Sequence, residues 1–180
     1  MWMNIGIVVI VLIIALVIAV ATRPDTFSIK RSTNILASPG VVFGFLNDFH
    51  RWPEWSPWEK LDPDMQRTHS GAPSGVGATY AWSGNSKAGE GSMTIRESKP
   101  GERVLLDLNF LKPFKSSNVT EFVLTPMETG TKVDWTMSGK HNTATKAFSL
   151  IQSMDKIVGK DFEQGLANLK AVSENAVRRA

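Results

Sequence analysis

Six segments that alternate apolar and polar residues follow one another with no helical segment between them, and this succession restricts the fold more than any other feature of the chain. Gly-Asn, Pro-Gly and Thr-Gly pairs separate several of them, as is typical of tight turns. The segments are residues 60–70, 78–83, 89–98, 103–111, 118–126 and 132–140. Parallel neighbours would need long crossover connections, so we predict an antiparallel meander.

A strand and a short helix precede the meander, and a long helix follows it. The strand is predicted over residues 27–36 and the short helix over 41–47, with Ser38 as N-cap and Pro39 at the first helical position. From 143 to about 175 the apolar period becomes helical, with one stripe made of Ala147, Ile151, Met154, Val158, Phe162, Gly165, Leu169 and Val172. Only a curved sheet can cover that stripe. We therefore predict an α+β fold in which about seven antiparallel strands wrap around the C-terminal helix.

Half of the six tryptophans lie in one short loop, at Trp52, Trp55 and Trp58. Pro53 and Pro57 prevent a continuous helix there and interrupt any sheet ladder. Tryptophan combines a large apolar area with one N–H donor, which suits the rim of a cavity for an apolar guest. A plug that seals the edge of the sheet is the alternative, and the loop alone does not separate the two.

The amino-terminal segment is continuously apolar from residue 5 to 21 and corresponds to about 26 Å of helix. We predict a transmembrane helix over residues 1–22, followed by a single ligand-binding domain over 23–180. A cleaved signal peptide is the alternative, although no basic residue precedes the apolar run. Arg23, Lys30 and Arg31 follow the span, so the positive-inside rule favours a cytoplasmic domain on a single-pass membrane protein.

Charge and composition exclude several function classes. The formal net charge of +3 is distributed without a long run of like charges, so we expect no nucleic-acid partner. No cysteine is present, which excludes disulfides, thiolate zinc sites and a cysteine nucleophile. The chain also lacks the HExxH and GxSxG motifs, and we expect neither a metal nor another cofactor.

Glu90 is the one acidic residue whose neighbours suggest a special role. It lies between Gly89 and Gly91, whose small size would allow a ligand or another backbone to approach closely. If it points inward it could act as an acid or base. Strand parity places it on the face opposite Met93, which favours an outward, solvated carboxylate.

Strand parity also predicts which side chains face the interior. Val133, Trp135 and Met137 share one face of their strand, while charged and hydroxyl side chains occupy the other. Together with the tryptophan loop and the helix stripe, this argument predicts a guest cavity lined by Trp52, Trp55, Trp58, Tyr80, Trp82, Phe110, Trp135, Met137, Phe148 and Met154. Ordinary core packing is the alternative for each of them, above all on the helix stripe.

Several short motifs occur in the order found in one known superfamily. They are Arg31-Ser32-Thr33, Ala37-Ser38-Pro39, Trp52-Pro53-Glu54-Trp55-Ser56-Pro57-Trp58, Gly75-Val76-Gly77-Ala78, Gly89-Glu90-Gly91-Ser92-Met93 and Asp161-Phe162. From about Thr26 to Glu174 the chain resembles the START-like, or SRPBCC, superfamily in its polyketide cyclase/dehydrase-like branch. The resemblance implies a helix-grip fold whose cavity binds lipids, polyketides or other apolar molecules, with enzymes a minority.

Two function classes follow, and a third is weaker. The first is a membrane-anchored carrier or sensor that binds an apolar small molecule, since the predicted interior is aromatic and poor in catalytic groups. The second is a polyketide cyclase or aromatase-like enzyme, in which one or two polar groups would move protons. The third is a protein-interaction or chaperone-activating module, which the superfamily also includes. A polar pair deep in the cavity would distinguish the first two, and the sequence does not identify one.

Overall fold

The computed structural model describes residues 2–141, 146 and 154–179, with the backbone alone at 2–6, 8, 9, 11, 154 and 157. Three α-helices lie in these ranges: α1 (Trp2–Ala21), α2 (Pro39–Leu46) and α3 (Met154–Arg179). Two short 3₁₀ helices, Phe49–Glu54 and Pro57–Lys60, carry the tryptophan loop. The strands are β1 (Thr26–Ile35), β2 (Gln66–Gly71), β3 (Ala78–Ser83), β4 (Glu90–Lys99), β5 (Arg103–Lys112), β6 (Ser116–Met127) and β7 (Gly130–Lys140).

The seven described strands form one antiparallel sheet in the order β1-β7-β6-β5-β4-β3-β2. The predicted meander is confirmed, since β2 to β7 are neighbours in chain order. β1 pairs with β7 and forms one edge, with Ile29 opposite Met137. Register shifts at Glu90/Gly91 and Ile95/Glu97 interrupt the β4–β5 ladder, and irregularities of this kind bend a strand. The sheet is curved and carries the C-terminal helix, as in a helix-grip fold.

The prediction of a strand from residue 60 is wrong at its start. Residues 57–60 form a 3₁₀ helix, and β2 begins only at Gln66. The Asp62 carboxylate explains the difference, because it accepts hydrogen bonds from the backbone N–H groups of Asp64 at 3.0 Å and Asn85 at 2.6 Å. This Asx-type turn keeps the residues before Gln66 out of the sheet.

Helix α3 packs its apolar stripe against the edge strand β1 and the neighbouring strand β7. Phe162, Leu166 and Leu169 are buried, and the first contacts Trp135 directly. A Cβ at Gly165 would lie 2.8 Å from Trp135 Cζ3, so the glycine allows helix and sheet to approach closely. Most of the predicted helix before Met154 lies outside the described residues, including Ala147, Phe148 and Ile151, as does the side chain of Met154.

A charged connection joins the edge strand to the beginning of α3. The guanidinium of Arg31 pairs with both oxygens of Asp155, at 2.8 and 3.1 Å, and with Glu163 at 2.8 Å. It lies directly against Gly159, where any Cβ would collide with it. These hydrogen bonds hold the pKa of the Asp155 carboxyl below its ordinary value and raise that of Arg31. The contact fixes the helix to the sheet edge beside the interior.

The apolar amino-terminal segment forms helix α1, whose continuous run of described side chains begins at Leu12. A helix that crosses a bilayer needs about 20 consecutive apolar residues, which is longer than the part of α1 from Leu12 to Ala21 whose side chains are described without gaps. Over the residues that the structure describes, no helix is long and apolar enough for a crossing. The predicted transmembrane helix over 1–22, the membrane as a partner and the single-pass localisation are corrected accordingly.

Candidate functional site

An aromatic cluster fills the space between the sheet and α3. Trp135 stacks on Phe162 with centroids 4.1 Å apart, and the ring of Phe122, its partner on β6, lies 4.8 Å from it. Trp55 contacts Trp135 edge-on, and Trp52, in the first 3₁₀ helix, lies tilted against Trp55 at 4.9 Å. Aromatic side chains from the loop, the sheet and the helix therefore meet in one cluster.

Two of the loop tryptophans lie inside the core. Trp52 and Trp55 are 3% and 1% exposed. Their indole N–H groups donate to the carbonyl oxygens of Leu46 and Phe45, each at 3.2 Å. Asn168 on α3 donates to the Trp55 carbonyl oxygen at 2.9 Å and fixes the loop to the helix. Both indole donors are satisfied, and the two rings form a fixed inner wall.

Three other predicted lining residues remain partly accessible. Trp58 is half-buried and makes edge contacts with Trp135 and Phe162, at 5.7 and 6.0 Å between centroids. Trp82 is also half-buried, and its N–H donates to the Ala88 carbonyl oxygen at 3.0 Å. Phe110 packs edge-on against Trp82 at 5.7 Å. These rings present apolar surface that protein atoms do not completely cover.

Gly91 explains the position of Trp82. A Cβ at residue 91 would lie 2.6 Å from two atoms of the indole ring, so the ring packs directly against the backbone of Gly91. Gly91 therefore makes room for the side chain of Trp82, where the sequence had suggested the approach of a ligand or another backbone. Glu90 pairs with Lys112 at 2.7 Å, and the buried residues of its strand lie on the opposite face, so the outward interpretation is the one observed.

Tyr80 is buried and its hydroxyl is engaged. It donates to Glu59 Oε1 at 2.6 Å, while Arg67 Nε donates to the other oxygen of the same carboxylate at 2.7 Å. Burial raises the pKa of Tyr80, and the hydrogen bond to Glu59 raises it further. The phenol stays protonated at neutral pH. Tyr80 thus contributes its ring to the interior, and its hydroxyl is held by the carboxylate.

Polar side chains on the inner face of β6 were missed as site candidates. Asn118 and Thr120 are 6% and 3% exposed. Asn118 Oδ1, Thr120 Oγ1 and the Trp135 indole nitrogen have no hydrogen-bond partner among the described residues. Leaving a buried polar group unpaired costs about 1–3 kcal/mol. Thr120 alternates in phase with the buried Phe122, and a polar residue at an inward strand position was the sequence signal that could have identified the pair.

Two open clefts lie at opposite ends of β1, β7 and β6. The larger, of about 800 Å³, includes Asn118 in its wall together with Phe27, Gly139 and Lys140. The smaller, of about 410 Å³, is lined by Leu36, Met127 and Val177, among others. Asn118 therefore connects the larger cleft with the inner face of the sheet.

The described part of the site contains no cluster of potential metal-binding side chains. Within residues 2–141, 146 and 154–179, no group of three or more histidine, cysteine or acidic side chains is placed to hold a metal ion. His50 and His69 stack at 4.3 Å, and His50 also contacts the Asp48 carboxylate, but both lie outside the aromatic interior. What the described interior offers a guest is apolar surface and a few neutral polar atoms.

Solved structures with the same fold are numerous. Protein CV1439 from Chromobacterium violaceum matches with a TM-score of 0.58 and 18% identity, over 84% of this chain and 99% of that one. The di-domain ARO/CYC StfQ from the steffimycin biosynthetic pathway matches at 0.68 and 10% identity, over 84% of this chain and 52% of that one. The Aha1 dimer from Colwellia psychrerythraea matches at 0.54 and 20% identity, over 82% and 96%. Identities this low establish the fold alone.

Sequence comparison identifies the family. No curated protein sequence matches the chain significantly. The family model described as "Polyketide cyclase / dehydrase and lipid transport" matches residues 26–174, which include all seven strands and most of α3. The resemblance predicted over Thr26 to Glu174 is confirmed at this level, and the chain belongs to the polyketide cyclase/dehydrase and lipid transport family.

Proposed function

We propose that the interior between the sheet and α3 binds an apolar small molecule, as a carrier or sensor would. The observation that carries the proposal is the pair of unpaired polar atoms, Asn118 Oδ1 and Thr120 Oγ1, on an otherwise apolar inner face. Ligand pockets characteristically combine apolar and aromatic walls with a few placed polar groups. The family description, which names lipid transport, points in the same direction.

The predicted lining residues take different parts in this proposal. Trp58, Trp82 and Phe110 are half-buried and would contact the guest with their uncovered ring faces. Trp52, Trp55 and Tyr80 are buried with engaged polar groups and would form the fixed wall behind them. Met137, opposite Thr120 on the neighbouring strand, would adapt to guests of different shape.

A fluorescence titration of the full chain tests the proposal. The uncharged apolar probe N-phenylnaphthylamine should bind near one to one and quench tryptophan emission, because several indole rings surround the interior. Trp58→Ala should weaken binding. Leu36→Ala, which alters the smaller cleft at the other end of the strands, should not. Absence of saturable binding, or loss of binding only in Leu36→Ala, would exclude the interior as the binding site.

A polyketide cyclase-like enzyme is the second candidate. Its support is the family description together with the fold shared with the ARO/CYC domains of StfQ and of BexL from the BE-7585A pathway. Glu59 is an acid in direct contact with the interior through Tyr80, and Arg67 and Tyr80 occupy both of its oxygens. Mass spectrometry of a bound polyketide-like substrate after incubation separates the candidates, since an enzyme releases a changed molecule.

A further inference from the structure

We infer that the guest is an apolar molecule carrying a hydroxyl group, which Asn118 and Thr120 bind together. This inference rests on the proposed function and specifies the class of ligand. The two residues occupy successive inward positions of β6, where same-face neighbours lie about 7 Å apart. In the inferred complex, one ligand hydroxyl lies between them and forms hydrogen bonds with both side chains.

The amide oxygen of Asn118 and the hydroxyl of Thr120 are unpaired but enclosed, so a guest reaches them only when neighbouring side chains move aside. Asn118 Nδ2 donates to Ser116 Oγ at 3.3 Å, which leaves Oδ1 as an acceptor. Oδ1 occupies the space above Gly139 where a Cβ would otherwise lie. A side chain at position 139 would therefore displace the amide oxygen from the inner face.

The chemistry of the two atoms selects the ligand group. Asn118 Oδ1 can only accept a hydrogen bond, whereas the Thr120 hydroxyl can donate and accept. A ligand hydroxyl satisfies both, because it donates to Asn118 and accepts from Thr120. A ketone or ether oxygen leaves Asn118 unpaired, and a carboxylate places a negative charge against its oxygen.

The inner face around Asn118 and Thr120 is apolar, so the rest of the ligand is apolar as well. On β6 the next inward residues are Phe122 and Leu124, and the strands on either side place Leu106 and Met137 opposite Thr120. Thr131 gives the contrast within the same sheet. Its buried hydroxyl donates to the Ala37 carbonyl oxygen at 2.7 Å, so the protein itself satisfies that threonine.

Three probes of nearly equal shape test the inference on the full chain. Naphthalene has no polar group, methoxynaphthalene can only accept, and naphthol can donate and accept. Wild-type protein should bind naphthol at least about tenfold more tightly than the other two, the ratio expected from one or two added hydrogen bonds. Thr120→Val and Asn118→Leu should each reduce the affinity for naphthol to nearly the affinity for naphthalene. Naphthalene affinity of the same variants is the reference against which the loss of the naphthol preference is measured.

Matched variants separate ligand recognition from structure. Thr120→Ser retains the hydroxyl and should retain the preference for naphthol. Thr131→Val removes a satisfied hydroxyl and should leave the preference intact in the folded fraction. Thermal unfolding of Thr120→Val should be unchanged or shifted upward, since the variant removes an unpaired buried hydroxyl.

The outcomes distinguish this inference from the proposed function. If no probe binds, the proposed function fails and the inference fails with it. If all three probes bind equally, or if the preference survives both Asn118→Leu and Thr120→Val, the interior binds apolar molecules but the hydroxyl class is wrong. Equal binding of naphthol and methoxynaphthalene, both above naphthalene, would overturn the role of Asn118 as acceptor.

Discussion

Trp135 on β7 and Phe162 on α3 stack nearly parallel, with their centroids 4.1 Å apart and their planes inclined by 15°. This contact joins α3 to the strand next to the edge strand β1. Trp55, Trp58 and Phe122 surround the pair, so the same two rings belong to the core and to the wall of the proposed site.

Replacing Phe162 by Ala should destabilise the protein by about 3–5 kcal/mol, the usual cost of truncating a buried aromatic side chain. Chemical denaturation measures the change. Lys160→Ala, on the exposed face of the same helix, should stay within about 0.5 kcal/mol of wild type. Equal and small effects at the two positions would show that the helix does not pack on the sheet as described.

The tryptophans of the loop should separate into two classes. Trp55→Ala should cost about 3–5 kcal/mol of stability because the ring is enclosed and its N–H is bonded. Trp58→Ala should weaken probe binding by roughly 1–3 kcal/mol, with a smaller loss of stability, because its ring is only half covered. Paired measurements of denaturation and N-phenylnaphthylamine affinity distinguish them, and the reverse ranking would contradict the proposed division of the wall.

Two buried threonines should respond in opposite ways to the same substitution. Thr131→Val leaves the Ala37 carbonyl oxygen without its donor and should cost about 1–3 kcal/mol. Thr120→Val removes an unpaired hydroxyl and should be neutral or stabilising by up to about 1 kcal/mol. Denaturant midpoints of the unliganded variants provide the comparison. A large loss at Thr120 would mean that its hydroxyl already has a structural partner.

Glycine to alanine changes should also differ between two helices. At Gly165 the added Cβ would meet Trp135 at 2.8 Å and Pro57 at 3.3 Å, so Gly165→Ala should cost about 1–3 kcal/mol through overpacking. At Gly40 in α2 nothing lies within 4 Å of the added atom. Gly40→Ala should therefore gain about 0.5–1 kcal/mol from helix propensity. Thermal unfolding of both variants checks the contrast, which would vanish if α3 stood farther from the sheet.

The Arg31–Asp155 pair should contribute to stability in a pH-dependent way. Hydrogen bonding to Arg31 lowers the pKa of Asp155 from its ordinary value of 3.8. Because the folded-state pKa is lowered, the pair contributes its full stability above the ordinary, unfolded-state pKa. This stability is lost as the pH falls through the folded-state pKa. Asp155→Asn should therefore lower the urea midpoint at pH 7, and the difference from wild type should shrink below about pH 4.

Glu128→Gln is the control for this titration. Glu128 is exposed in the turn between β6 and β7, so its replacement should change the urea midpoint little at any pH. A difference between wild type and Asp155→Asn that stays constant from pH 7 into the acid range would show that the pair does not link protonation to folding.

Strand pairing and face assignment could be predicted because both depend on local patterns. A period of two identifies the faces of a strand, and Tyr80, Trp135 and Met137 are buried as parity predicted. Glycine-containing turns between the segments marked the hairpins. The helix stripe likewise identified Phe162 and Leu169 as core residues.

The division of labour within the site could not be predicted, because it depends on contacts between distant segments. Whether an indole N–H is satisfied depends on a carbonyl elsewhere, as Trp55 with Phe45 shows. The unpaired state of Thr120 follows from the absence of a partner in the described structure, whereas Thr131 finds one in Ala37. The late start of β2 has a similar origin, since the Asp62 carboxylate bonds to Asn85.

The edge position of β1 has a consequence for synthesis of the chain. Its register pairs Thr26 with Lys140 and Ile35 with Thr131, so its strand partner is the last one to be made. β2 to β7 can form hairpins successively as they leave the ribosome, whereas β1 must wait, and long-range pairing of this kind slows folding. Until β7 and α3 follow, Ile29 and Ile35 have no sheet to join, and the nascent chain carries an unpaired strand until β7 has been made.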